Sequence, residues 1–225
     1  MKKILLPTGV GNVASRLRLA LSAVVILLCP FSTTAQADFS SIDAYLKSTL
    51  RGGDRLSVQA KGDLNGDGRV DWAGVIRGQQ VDSSPTYQLH VLLRLRQGGY
   101  HVAVKSKEEE IPGMGCCWVE NLEIRRSSIY VQNNAKTVSI MEAVTHQFKL
   151  YKGEWRLVGI RIYHTDFSPD AQATVDTDMN LLTGSVIEKR QEGDHKPVIK
   201  SRRKKFATYL LKDFDFSTRF GNEQA

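Results

Sequence analysis

The sequence predicts an α+β fold that is mainly β, with antiparallel hairpins forming a meander sheet or partly rolled barrel and short helices near both ends of the mature chain. Three observations predict it. Apolar and polar residues alternate over several runs, as they do in half-buried strands. Glycine-containing or polar turns separate these runs at short intervals. Helical spacing of apolar residues is confined to two short segments, one at each end.

Near the start, Ser41 is placed to cap a helix whose apolar residues Ile42, Tyr45, Leu46 and Leu50 fall on one side, and Gly52-Gly53 ends it. The period then becomes two. Tyr87, Leu89, Val91, Leu93 and Leu95 share one face of a strand, with Gln88, His90, Arg94 and Arg96 mostly on the other; Gly98-Gly99 turns the chain into Tyr100, Val102 and Val104. Leu122 and Ile124 face Ile129 and Val131 across a turn at 125–128. Val144, His146, Phe148 and Leu150 lead through Lys152-Gly153-Glu154 into Trp155, Leu157, Val158, Ile160 and Ile162. That last run is apolar on both faces in its middle, which predicts a central strand. Residues 181–189 read as a further strand and 196–205 as a basic polar stretch; Phe206, Tyr209, Leu210 and Leu211 then repeat at helical spacing.

Residues 1–37 have the three parts of a secretory signal: a basic start, an apolar run over 19–29 and small residues at Ala35-Gln36-Ala37. The run is about half the length a spanning helix needs, so the expectation is cleavage before Asp38 and a periplasmic or secreted mature protein with no membrane span. Residues 38–225 form a single β-rich domain without a proline-rich or glycine-serine linker. The formal charge is +7, and four of the cations, Lys2, Lys3, Arg16 and Arg18, belong to the leader. The weakly basic remainder excludes nucleic acid as an expected partner, since affinity for a polyanion grows with the phosphates neutralised.

The segment with chemical content is Asp63-Leu64-Asn65-Gly66-Asp67-Gly68-Arg69-Val70-Asp71. Side-chain oxygens at alternate positions of a tight loop suit calcium, which takes six to eight oxygen ligands. Asp63, Asn65, Asp67 and Asp71 supply them, with the backbone carbonyl of Arg69 between, while Gly66 and Gly68 permit positive φ. A helix–loop–helix site would need a bidentate Glu where this chain has Gly74, and the flanks alternate as strands, so the expectation is a calcium turn between two β-strands. The same residues also read as Asn-Gly and Asp-Gly turns with solvated acids.

Residues 58–75 resemble the calcium turns of FG-GAP and VCBS repeats, and 89–102 are similar to the hairpin that follows such a turn. The resemblance implies calcium ligation by Asp63, Asn65, Asp67 and Asp71. It covers one repeat, so it implies no propeller. Residues 148–159 and 178–184 also look like segments shared by a group of exported bacterial proteins, which implies no activity.

Other signals are weaker. Asp176, Asp178 and Asn180 share one side of an extended segment and read either as a second cation site or as solvated positions before the turn at Leu182-Thr183-Gly184. Adjacent Cys116 and Cys117 read as a vicinal disulfide, as two thiols, or as soft-metal ligands with Met114. His90, His101, His146 and His164 fall on strands at no metal-binding spacing and read as strand surface or satisfied core, and Glu108, Glu109 and Glu110 read as loop acids. Lys200, Arg202, Arg203, Lys204 and Lys205 form one dense cationic patch. The function these features predict is a non-enzymatic calcium-binding β-domain that offers an interaction surface to an envelope protein, as an inhibitor or immunity protein does. The alternatives are a secreted hydrolase with a calcium-supported acidic site and an envelope protein handling redox or copper chemistry at Cys116-Cys117.

Overall fold

The computed structural model describes residues 38–81, 84–110, 116–169 and 172–216. The leader, with its signal-peptide expectation, lies outside them, as does the side chain of Cys116, and with it the vicinal bridge.

One helix, α1 (Ile42–Thr49), precedes two open antiparallel sheets. The first holds β1 (Arg55–Gly62), β2 (Asp71–Val81), β3 (Ser84–Arg94) and β4 (Tyr100–Lys105) in chain order, with the two-residue β5 (Glu109–Glu110) paired to β3. The second is a seven-stranded meander of β6 (Cys116–Arg125), β7 (Ser128–Lys136), β8 (Ile140–Tyr151), β9 (Glu154–Asp166), β10 (Ala173–Asn180), β11 (Ser185–Glu192) and β12 (Val198–Arg203). The mainly β, antiparallel reading therefore holds, and of its two forms the meander is the right one, since neither sheet closes into a barrel.

The sheets pack face to face. Ala73, Val75, Leu89 and Val91 of the first meet Ile129, Val131, Val144, Phe148 and Leu157 of the second in one buried core. Alternation sends Trp72, Gly74 and Ile76 to the opposite face of β2, where α1 packs over Trp72. Tyr45 of the helix packs there with Trp72, Leu92 and Tyr100. Ser41 caps α1 as its sequence predicts, accepting the Ala44 amide at 3.1 Å. The first sheet is thus covered on both faces and the second on one.

Two expectations are corrected. The expected helix over 206–211 is absent: residues 206–210 run in extended or irregular form, Arg156 and Leu210 make an isolated bridge, and among the described residues of this segment the only helical turn is a 3-10 turn at Leu211–Asp213. Packing overrides the local spacing here, because this segment bonds to both sheets, with the Leu157 amide on the Tyr209 carbonyl at 2.9 Å and the Lys107 amide on that of Phe214 at 2.9 Å. It delivers Phe214 and Phe216 to the core against His146, Phe148 and Tyr87. Of the two readings of His90, strand surface or satisfied core, the structure shows the core: it is 1% exposed because α1 lies over its face of β3. The basic stretch at 196–205 contains a strand, β12, and β10 precedes the turn at 181–184. As expected, β9 is the middle strand of its sheet. Its adjacent apolar residues reflect a bulge: Leu157 pairs with Phe148 and Gly159 with Gln147, leaving Val158 as the extra residue.

Candidate functional site

The acid-rich segment is the turn of the β1–β2 hairpin, between Gly62 and Asp71, so it joins two strands as expected. Gly66 and Gly68 adopt φ of +80° and +79°, the left-handed region that only glycine enters without strain. Their amides turn inward onto Asp63. Oδ1 of Asp63 accepts from the Gly66 amide at 2.8 Å and the Asp67 amide at 3.2 Å, and Oδ2 accepts from the Gly68 amide at 2.9 Å. These bonds, that from Gly68 foremost, hold its carboxyl below the usual carboxylate range, and desolvation opposes them.

Asp67 makes the outer lip of the turn. It accepts the Arg69 amide at 2.8 Å, the Asn65 side-chain amide at 2.7 Å and an ion pair from the Arg69 guanidinium. Arg69 also donates from Nε to the Arg94 carbonyl at 3.0 Å. Asp71 lies underneath. It is fully buried, and its two oxygens accept one amide from each side, Leu64 of the turn at 2.8 Å and Arg94 of β3 at 2.8 Å. Burial pushes its carboxyl above the usual range; Asp67 and Asp63 push the same way, and the two amides oppose. Asp71 therefore feels the other two aspartates, Asp63 half-buried and Asp67 on the exposed lip. Among the described residues no three His, Cys, Asp or Glu side chains converge closely enough to hold a metal in this form.

The remaining candidates disperse. Asp176 takes a bidentate pair from Arg161 at 2.8 and 2.7 Å, which lowers its pKa, and Asn180 caps the following turn by accepting the Leu182 and Thr183 amides at 3.1 and 2.9 Å. Both residues belong to the second sheet, away from the β1–β2 turn. Glu108 pairs with Arg51 at 2.7 Å and accepts from Thr86 at 2.9 Å. His90 is held between the Tyr45 hydroxyl on Nδ1 and Gln88 Oε1 on Nε2, and burial lowers its pKa to about 3, so it is a neutral structural group. Cys117 is half-buried on β6.

Sequence reasoning missed one feature. The outer face of the second sheet carries a polar concavity of about 420 Å³ whose lining includes Asn121, Tyr130, Gln147, Gly159, Arg161 and Asp178. Its floor is low at Gly159, where a side chain would meet Gln147 Oε1 at 2.9 Å. A glycine inside an apolar strand run was the signal available. Arg125 lies over the Tyr130 ring at 4.0 Å on the rim. Among the described residues no helix is long and apolar enough to cross a membrane. In comparisons with known proteins, no family model, curated protein or solved structure matches the chain.

Proposed function

We propose that the chain is a non-catalytic exported β-domain, periplasmic or secreted, whose β1–β2 turn is set by calcium and whose open sheet face receives another macromolecule. The observation that carries the reading is Asp71, a fully buried carboxylate at the root of a turn that holds two more aspartates. It ties Leu64 of the turn to Arg94 at the end of β3. A buried carboxylate with no cationic partner is costly to leave charged, and a divalent cation offsets that cost directly.

The donor set fits a hard cation. Asp63, Asn65, Asp67, Asp71 and the Arg69 carbonyl are all oxygen donors, the chemistry calcium selects. The resemblance to FG-GAP and VCBS turns supports the same residues. Asp67 would exchange the Arg69 guanidinium for the ion. Bound calcium would supply charge neutralisation and a fixed hairpin tip, and no step of catalysis is assigned to it. The polar concavity supports recognition of a partner, an envelope protein bound as an inhibitor or immunity protein binds. Its polar groups are already engaged with neighbours: Arg161 with Asp176, Arg125 with Tyr130, and Gln147 with Ser128 at 3.3 Å.

Thermal melting with calcium and with excess chelator tests the reading. An ion present at about 100 times its Kd adds about 2.7 kcal/mol, which for a domain of this size is about 5–10 °C in Tm. Asp63→Asn combined with Asp67→Asn should erase the difference. Identical melts, with elemental analysis confirming a metal-free baseline, would remove the reading.

A further inference from the structure

β11 and β12 carry the second sheet beyond the sandwich. Every residue of β12 is exposed, and on β11 only Val186 is buried. Between residues 185 and 205 the chain places eight Lys and Arg against three acids. Aliphatic residues interrupt the cations rather than retreating from water: Leu182, Ile187, Val198 and Ile199 are 49, 46, 57 and 66% exposed. The register sorts them. Lys189 lies opposite Ile199, Ile187 opposite Ser201 and Ser185 opposite Arg203, so Ile187, Ile199, Lys189 and Arg203 share one face.

At the root of this ribbon lies an open concavity of about 540 Å³, lined by Arg156, Arg203, Lys204 and Lys205 together with Leu182 and Phe206, and by no acid. Gly184 makes it. With φ at +76° it brings the chain so near Lys204 that a side chain would meet the Lys204 carbonyl oxygen at 2.3 Å, and the Lys204 amide bonds to the Gly184 carbonyl at 2.8 Å. The last cations of β12 are thereby folded back against the 181–184 turn.

We propose that this ribbon docks on a membrane surface carrying anionic phospholipids, with headgroup phosphates against the basic concavity and the exposed aliphatic side chains in the interface. A small soluble anion would use the cations and leave the exposed Ile187 and Ile199, which share a face with Lys189 and Arg203, unexplained. Single-stranded nucleic acid stacks its bases on aromatic rings; β11 and β12 carry none, and the two rings of the concavity, Tyr151 and Phe206, already lie under Arg156 and Lys204. A second copy paired through β12 would set Lys200, Arg202 and Arg203 against their own kind, the arrangement by which cationic edge strands deter pairing. A lipid leaflet satisfies both parts of the surface. This inference stands apart from the calcium reading, because the ribbon and the acidic turn belong to different sheets.

Co-sedimentation of the protein with vesicles tests it, comparing phosphatidylcholine alone with an equimolar mixture of phosphatidylcholine and phosphatidylglycerol. Binding is expected to the mixture only. It should be released when salt rises from about 0.1 M to about 1 M, as the screening length falls from about 10 to about 3 Å. Lys189→Gln with Arg203→Gln, the two cations on the face of Ile187 and Ile199, should lower the partition coefficient about 25-fold, each cation near an anionic surface contributing about fivefold. Ile187→Ser with Ile199→Ser, which leaves the charge unchanged, should also lower it. Equal binding to both vesicles, or full binding by both double variants, overturns the proposal. So does displacement from the mixed vesicles by millimolar inorganic phosphate at constant ionic strength, which would mark a small-anion site instead.

Discussion

The two sheets treat their polar residues differently. The five-stranded sheet is enclosed, with α1 on one face and the second sheet on the other, and its buried polar groups, Asp71 and His90, are held by partners that fix backbone and helix. The seven-stranded sheet is covered on one face only. Its outer polar groups, such as Arg161 with Asp176 or Arg125 over Tyr130, meet solvent and one another. The difference separates scaffold from surface: changes in the first sheet should cost stability, and changes on the open face of the second should cost binding with little effect on folding.

The largest expected effect is acid sensitivity set by His90. Its folded pKa of about 3 lies below the ordinary value of 6.5, so folding excludes a proton that the unfolded chain binds. The stability it confers is complete above pH 6.5 and is lost progressively toward pH 3, on the order of 4 kcal/mol in all. Asp71 acts in the opposite sense, since its raised carboxyl favours folding at low pH and loses that contribution as pH rises through its folded value. Urea denaturation across pH, compared with His90→Gln, isolates the histidine; equal slopes would break the comparison at its first point.

Asp71→Ala follows. It strands the buried Leu64 amide and the part-buried Arg94 amide, and a lost acceptor costs a buried donor about 1–3 kcal/mol, so a loss of about 3 kcal/mol in chelator-containing urea is expected. Gly74→Ala should cost about 2 kcal/mol by the same measurement, because its methyl group would enter the Trp72 ring at 2.2 Å under α1. On the open face, Arg161→Ala should change stability by less than about 1 kcal/mol, as exposed ion pairs do. A loss there as large as that for Asp71→Ala would mean that the outer face is structural after all.

Much of this was legible in the chain. Alternation located β3, β4 and β6 to β9, and Ser41 with its apolar partners located α1. The turn at Lys152-Gly153, with φ of +52° and +82°, and that at Arg126-Ser127, with φ of +50° and +54°, use the left-handed pair that two-residue hairpins need; glycine announced only the first. β12 was hidden because an exposed strand needs no apolar alternation. The false C-terminal helix had the right period, and what decided its form was Phe214 and Phe216 reaching the core, a long-range demand that local spacing does not encode. At the turn, residue types and spacing announced that three aspartates meet in one hairpin loop, but not the different place each takes there. Only tertiary packing makes Asp71 an interior group while Asp63 stays half-buried and Asp67 exposed.

The most direct test of the calcium-set turn is a calcium titration followed by amide resonances in an ¹⁵N-labelled sample. Shifts confined to Leu64, Gly66, Gly68, Arg69 and Arg94 and saturating at one equivalent are the predicted result. Unchanged resonances at millimolar calcium, or shifts scattered over exposed acids without saturation, would contradict it.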